Sequence, residues 1–439
     1  MDSALFLEQL AHSFGKQAPY LPGFGRPEIR AIRQQALVQA CHLNIPSIRL
    51  DLWKHARFDS LLEATFAPYL HAPSKQVLAQ IAPLVDSSGE ILNLVFLNGH
   101  YVPSLSHHNP IEIRLQSIAR LAKMQPELLI DFHKGHADHF FSQLNTAFCS
   151  DGAIVIIPEN VHLTKIVVIS HFLVNENHYP HMAHPQTHIH LGKNSEVTII
   201  EKWFSLGNET KAFMNGHTEL LCAQGAVCHL YRYTHHATST WGFHQIRATL
   251  LANAQLNMTE LAFGAHYQRH EVNVHLKEPS AVLKCYGLLL PNTFEHCDWV
   301  SHVTHYAEGG NSLQKIKAIV GFDGHSSFLG NITVKPAAQH TQTLMVSESL
   351  LLADKGQADS APQLEILADE VKCNHAATIS QLNEPMLFYL QSRGFSLAQA
   401  RQLLLKAFTD EIVHSIGNPL LRTDWQAIVA ARLNSLRST

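Results

Sequence analysis

Four stretches decide the fold: "GKNSEVTII" (residues 192–200), "AQGAVCHLY" (223–231), "ANAQLNMTEL" (252–261) and "KEPSAVLKCYG" (277–287). Each sets a small or polar turn before an alternating apolar run, and they recur at intervals of roughly 25 to 30 residues. Alternation of apolar and polar residues is the signature of a strand with one buried face. A single unit of this size cannot cover that face alone, whereas stacked copies cover one another, so the spacing predicts a β-solenoid. A β-sandwich or a pair of barrels would alternate in the same way. Tight hairpin turns are scarce, with Asp151-Gly152 and Asp323-Gly324 as the Asp-Gly pairs, and this favours coils over hairpins.

Working outward, "AIVIIP", "THIHLG", "QIRATLL", "EVNVHL", "KIKAIV", "NITV" and "QLEIL" extend the strand pattern over residues 149–376. The first 148 residues read as mostly helical: Ile29, Ile32, Ala36 and Ala40 return at helical steps, as do Phe140, Phe141, Leu144, Ala147 and Phe148. Helices return over residues 377–439. Asn383 is placed to cap one, with Pro385 in its first turn and Gly394 as its stop. Ser396 caps a longer one, whose expected apolar face is Leu397, Ala400, Leu404, Ala407, Phe408 and Ile412. That face docks on the solenoid or on another protein.

With 439 residues, 46% of them hydrophobic, the chain is long enough for two or three domains with their own cores. A net charge of −4 and the lack of any long Lys/Arg block argue against nucleic acid as a partner. "MDSALFLEQLAHSFG" carries acidic residues where a signal peptide would be basic, and reads as the start of a helix. Apolar runs are strand-length rather than membrane-spanning, so no membrane association is expected. Seven cysteines without a CxxC pair fit free thiols in a reducing compartment, and the expected location is the cytoplasm.

Histidine is abundant, 32 residues against 32 for Lys and Arg together, yet spread along most of the chain, which fits a compositional bias. "LGKNS" lacks the first glycine of a phosphate loop, so the chain is not expected to bind nucleotide itself; GxSxG, HExxH and HRD signatures are absent. The His188/His190 pair with Glu196 offers the alternative of a cupin-like, metal-dependent β-fold enzyme, although the glutamate spacing is one residue too long. His133, His136 and His139 read as a solvated helix face, and His296 with Cys297 as a possible soft-metal pair. Cys373 and His375 are two residues apart on an extended segment, which directs both side chains to one face. Thiolate and imidazole suit iron, zinc and copper(I), but two ligands leave a site to be completed from elsewhere.

"SAPQLEILADEVKCNHAATISQLNEPMLFYLQSRGFSLAQARQLLLKAF" (360–408) resembles the C-terminal signature of the SufD branch of the SufB/SufD family, scaffold subunits of the Suf iron–sulfur cluster assembly system. "QLNTAFCSDGAIVIIPEN" (143–160) and the block 297–343, with Asp298, His302, His305, Ser312, Lys317, Gly330 and Gln339, extend the likeness over roughly residues 140 to 415. "LDLWKHARFDSLL" (50–62) carries it more weakly towards the N-terminus. The SufB branch is less similar, since it has "EHEAST" in place of "KCNHAAT" and a cysteine where "SLLLADKG" has none. Ala376 replaces the usual glycine after the histidine, and Gln391 the usual basic residue before "SRG".

The resemblance implies a right-handed parallel β-helix flanked by helical domains, and a non-catalytic scaffold. It further implies a heterodimer with SufB and docking of the C-terminal helices onto SufC, an ABC-type ATPase. His375 then corresponds to the residue that ligates or positions a transient iron–sulfur cluster shared with SufB, completed by a SufB cysteine, with Cys373 as an auxiliary thiolate. A homodimer in the absence of SufB and a plain structural adaptor are the remaining readings.

Overall fold

A computed structural model describes residues 3–66, 69, 73–86, 88–107, 112–133, 139–174, 180–207 and 211–436. Three strands fall within the N-terminal region: β1 (Ile91–Leu97), β2 (His100–Tyr101) and β3 (Arg114–Ser117). The solenoid then builds as coils of two strands each. The first joins β4 (Gly152–Ile157) to β5 (His162–Val174); after the short β6 (His181–Ala183), the second joins β7 (Gln186–Leu191) to β8 (Glu196–Leu206). The next pair β9 (Ala212–Cys222) with β10 (Val227–His236), β11 (Thr240–Leu250) with β12 (Gln255–Gly264), and β13 (Tyr267–Leu276) with β14 (Val282–Leu289). The last pair β15 (His296–His305) with β16 (Asn311–Val320), β17 (His325–Val334) with β18 (Gln342–Leu351), and β19 (Gln357–Ile366) with β20 (Lys372–Gln381). The final strand runs five residues past position 376.

Neighbouring coils pair in parallel, so one sheet runs β2-β1-β5-β8-β10-β12-β14-β16-β18-β20 and the other β19-β17-β15-β13-β11-β9-β7-β4-β3. This is the parallel β-solenoid that the sequence predicts, rather than a sandwich or barrels. The quoted repeats are its corners. Asn194, Gly225, Asn253 and Ser280 sit two residues before a strand with φ of 53°, 68°, 56° and 58°, the left-handed region that Gly and Asn enter most readily. Asn194 N–H donates to Gln224 O, Gly225 N–H to Ala252 O, and Asn253 N–H to Pro279 O, at 2.9–3.0 Å, so each corner is bonded to the next. At Gly225 a Cβ would lie 2.4 Å from Asn194 Oδ1. The following residue in each repeat, Ser195, Ala226, Ala254 or Ala281, is small and buried.

Between the sheets the core is mainly aliphatic, with Ile199, Leu230, Met258, Cys285, Val272 and Val274 among its members. Helices cover the two outer faces. Phe6, Phe14, Trp53, Phe58 and Phe141 from the N-terminal region pack on Phe213, Phe243 and Tyr267 of one sheet. Arg33 takes a place in the apolar stripe of helix Pro27–Leu43, where its buried guanidinium donates to Ala147 O at 3.1 Å and Thr146 O at 3.3 Å.

The C-terminal helices cover the other sheet. Asn383 accepts from Met386 N, Ser396 forms a full capping box with Gln399, and Gly394 stops the first helix at φ 97°, as expected. The buried face of helix Leu397–His414 is Ala400, Leu405, Thr409, Ile412 and Val413, whereas Leu397 is exposed and Leu404 and Phe408 are half-buried. The helix turns relative to the expected face because it must meet two surfaces at once. One is the outward row Tyr231, Tyr233 and Phe263, and the other is helix Pro419–Ser435 with Trp425, Val429 and Leu433. Lys317 fixes its far side by pairing with Glu411 and donating to Phe408 O.

Candidate functional site

The two ends of the solenoid differ. At the N-terminal end the sheets finish in the short antiparallel strands β2 and β3, while at the C-terminal end they stop at the long parallel strands β19 and β20. An edge strand presents unpaired backbone N–H and C=O groups along its length. Here there are two such edges, each ten residues long.

Cys373 and His375 stand on β20 opposite Thr343 and Met345 of β18. Both of those partners are buried, which identifies the row as inward-facing. The expected common face is therefore the interior face of the solenoid, in the one coil that has no successor. Cys373 is half-buried and packs on the core, while His375 is exposed. Burial pushes the Cys373 thiol up, so it stays protonated at neutral pH unless a metal displaces the proton. The arrangement offers one imidazole and one latent thiolate to something placed against the end of the stack.

The alternative metal readings of the other histidine groups are not met by the fold. His188 and His190 share the outward face of β7, but Glu196 lies on the other sheet, within 3.4 Å of His162 Nδ1 and 3.5 Å of His229 Nε2. The cupin-like triad is thus split between sheets. His296 points outward and stacks near His325, whereas Cys297 points into the core, because consecutive strand residues face opposite sides. His136 and the side chain of His133 lie outside the described residues; His139 meets Glu271 at 2.9 Å.

Two features escaped the sequence reading. One is a sealed polar chain inside the solenoid. Thr218 donates to Glu201 at 2.8 Å, Arg232 bridges Glu201 at 2.9 Å and Glu260 at 3.0 Å, and His270 Nδ1 meets Glu260 at 2.6 Å. The Arg232, Glu201 and Glu260 side chains are fully buried. The second is a meeting of His55, His325 and Asp359 on the outer face near the open end. Contacts between residues so far apart in sequence leave no local pattern to find.

The family profile described as "SUF system FeS cluster assembly, SufBD core domain" matches residues 172–408. That described as "SufBD protein N-terminal region" matches residues 8–169.

The chain belongs to the SufBD family.

Its curated SufBD relatives include an iron-sulfur cluster assembly SufBD family protein of Synechocystis, 32% identical, with 77% of each chain covered. The iron-sulfur cluster assembly protein SufD of Escherichia coli is 26% identical, covering 91% of this chain and 92% of the relative. This SufBD protein is accordingly an iron–sulfur cluster assembly protein. Asp298, within the matched core, accepts from Tyr267 at 2.6 Å, Ser327 at 2.5 Å and His296 at 2.7 Å. Although burial pushes its pKa up, His296, Arg269 and the Ser327 hydrogen bond outweigh that and hold it well below the usual carboxylate range. Asp298 is thus a structural anchor, and His305 likewise bonds Ser312 at 2.9 Å inside the stack. Among the described residues no helix is long and apolar enough to cross a membrane.

Proposed function

We propose that the chain is the SufD-type, non-catalytic scaffold subunit of a cytoplasmic Suf complex, in which SufB seats against the open end of the solenoid. The observation that carries this reading is the bare coil itself: two ten-residue edges flank an inward row holding Cys373 and His375. A related solenoid brought end to end would continue both sheets by strand addition and enclose that row. His375 then serves as a ligand or positioning group for a transient iron–sulfur cluster, which is cargo, completed by a SufB cysteine, with Cys373 as an auxiliary thiolate. Without SufB, the same edges suit a second copy of this chain.

SufC docking is supported by a groove of about 450 Å³ between helices Leu397–His414 and Pro419–Ser435, with exposed Phe395 and Leu403 at its rim and the buried Val413, Val429 and Leu433 at its floor. Lys317 and the outward aromatic row tie those helices firmly to the solenoid. ATP-driven closure of SufC would therefore reach the SufB interface as a rigid-body movement, favouring whichever arrangement SufC binds better. A cupin-like enzyme built on His188 and His190 has little support, since Glu196 faces away on the other sheet.

Co-expression with SufB and SufC, comparing wild type with His375→Ala, tests the reading through complex recovery and anaerobic iron–sulfur absorbance. An intact complex that fails to accumulate cluster is the expected result. Unchanged cluster content reduces the chain to an adaptor, and failure of the wild type to form any complex overturns the SufD assignment.

A further inference from the structure

Outside the open end, the described residues bring three metal-capable side chains from distant parts of the chain to one point. His325 opens β17 on its outward face, and Asp359 stands one coil further on, on β19. His55 follows the short 3-10 turn Asp51–Trp53, which crosses this face. His325 Nε2 lies 2.8 Å from Asp359 Oδ2, and His55 Nδ1 lies 3.4 Å from the same oxygen. One ligand atom from each of the three falls within 4.8 Å of the others. Ligand atoms that share an ion at bonds of about 2.0–2.2 Å stand roughly 3.0–3.5 Å apart, so small side-chain rotations suffice to close the shell.

The surroundings hold these groups in place. Arg269 stacks on Trp53 at 3.7 Å and donates to Leu52 O at 2.8 Å, anchoring the segment that carries His55. His296, fixed by Asp298, packs on the His325 ring at 4.2 Å between centroids. The His325 side chain is only 8% exposed, and its Nδ1, like Nε2 of His55, is buried with no hydrogen-bond partner. His325 and the partly exposed His55 thus each aim one ring nitrogen at the same carboxylate, a two-imidazole, one-carboxylate cluster already assembled by the fold. Beside them opens a small cleft lined by Asp51, Lys54, Ser327 and Ser360, room for a water as a further ligand.

We propose that His55, His325 and Asp359 bind one divalent transition-metal ion. Two imidazoles and one carboxylate match borderline ions such as Fe²⁺, Zn²⁺ or Co²⁺. They are too nitrogen-rich for Ca²⁺ or Mg²⁺ and lack the thiolates that favour Cu(I). The site joins the N-terminal segment to the last two coils, so its occupancy also stiffens the region beside the open end. It stands apart from His375, which lies on the inward row of the other sheet.

The test uses the full chain, free of any affinity tag and stripped with chelator, titrated with Co²⁺ as a visible-absorbing probe. One equivalent with a low-symmetry d–d spectrum, displaced by Zn²⁺, is expected. His55→Ala and Asp359→Asn should each weaken it by more than about 100-fold, since even outer-shell losses reach that range, while His375→Ala leaves it unchanged. His55 is partly exposed on a short turn, so its variant keeps the wild-type circular dichroism and separates lost ligation from lost folding. Absence of stoichiometric Co²⁺, or binding that survives both substitutions, overturns the site. Anaerobic titrations with Fe²⁺ and Zn²⁺ then decide which ion the same ligands prefer. Because no SufB or SufC is present, the result is independent of the scaffold reading.

Discussion

The middle coils and the last coil of the solenoid carry the same inward column of side chains with opposite consequences. Cys285, Gln314 and Met345 succeed one another at equivalent positions and are fully buried; His375 is next in that column and is exposed. Nothing in the backbone changes between them. What changes is that no further coil covers His375. In a stacked fold the unit of burial is the neighbouring repeat, so ending the repeat turns a core position into an accessible one.

That contrast predicts where damage to stability lies. The largest effect concerns the sealed interior and the neighbouring buried sites. Burial pushes His171, His184 and His236 down to about 3. The unfolded chain takes up their protons below about pH 6.5 while the folded chain does not, so stability falls as pH drops through that value and continues to fall towards 3. By pH 5 each should cost about 2 kcal/mol relative to pH 7. Asp151 works in the other direction: burial pushes it up to about 6, which returns about 1 kcal/mol on the same acidification. A net loss of about 5 kcal/mol should appear as a large drop in thermal and denaturant midpoints between pH 7 and pH 5. A flat profile would mean that the interior is wet and the comparison false.

Next comes Arg232→Met, which strands Glu201 and Glu260 in the sealed chain and should cost about 3–5 kcal/mol. Denaturant unfolding checks it, and adding Glu201→Gln and Glu260→Gln should restore much of the loss. Ile412→Ala should cost about 3 kcal/mol by opening a cavity under the C-terminal helices, with hydrogen exchange rising in residues 397–414 and not in the middle coils. At the open end the effect should be smallest. His375→Ala should move stability by no more than about 0.5 kcal/mol, and a larger shift in its midpoint would show that this residue is packed like those below it.

The abundance of histidine illustrates what the sequence could and could not say. Spread over the chain, it reads as compositional bias. In the fold, eleven histidines among the described residues are buried, several stacked on aromatic rings, as His171 is on Trp203 at 4.2 Å and His244 on His270 at 5.2 Å. Each stacking partner is a coil away, so no short window of sequence contains both.

The sequence by itself determined the solenoid and the family, because corner residues such as Asn194, Gly225 and Asn253 act through their own backbone and recur with the repeat. It also determined that Cys373 and His375 share a face, since alternation along a strand is local geometry. Only the tertiary structure decided that this face is an inward row left open, that the C-terminal helices turn to meet an aromatic row, and that His55 comes to His325 and Asp359. Those outcomes depend on which coil is last and on which residues distant in sequence are brought against it, and both are properties of the stack rather than of any segment.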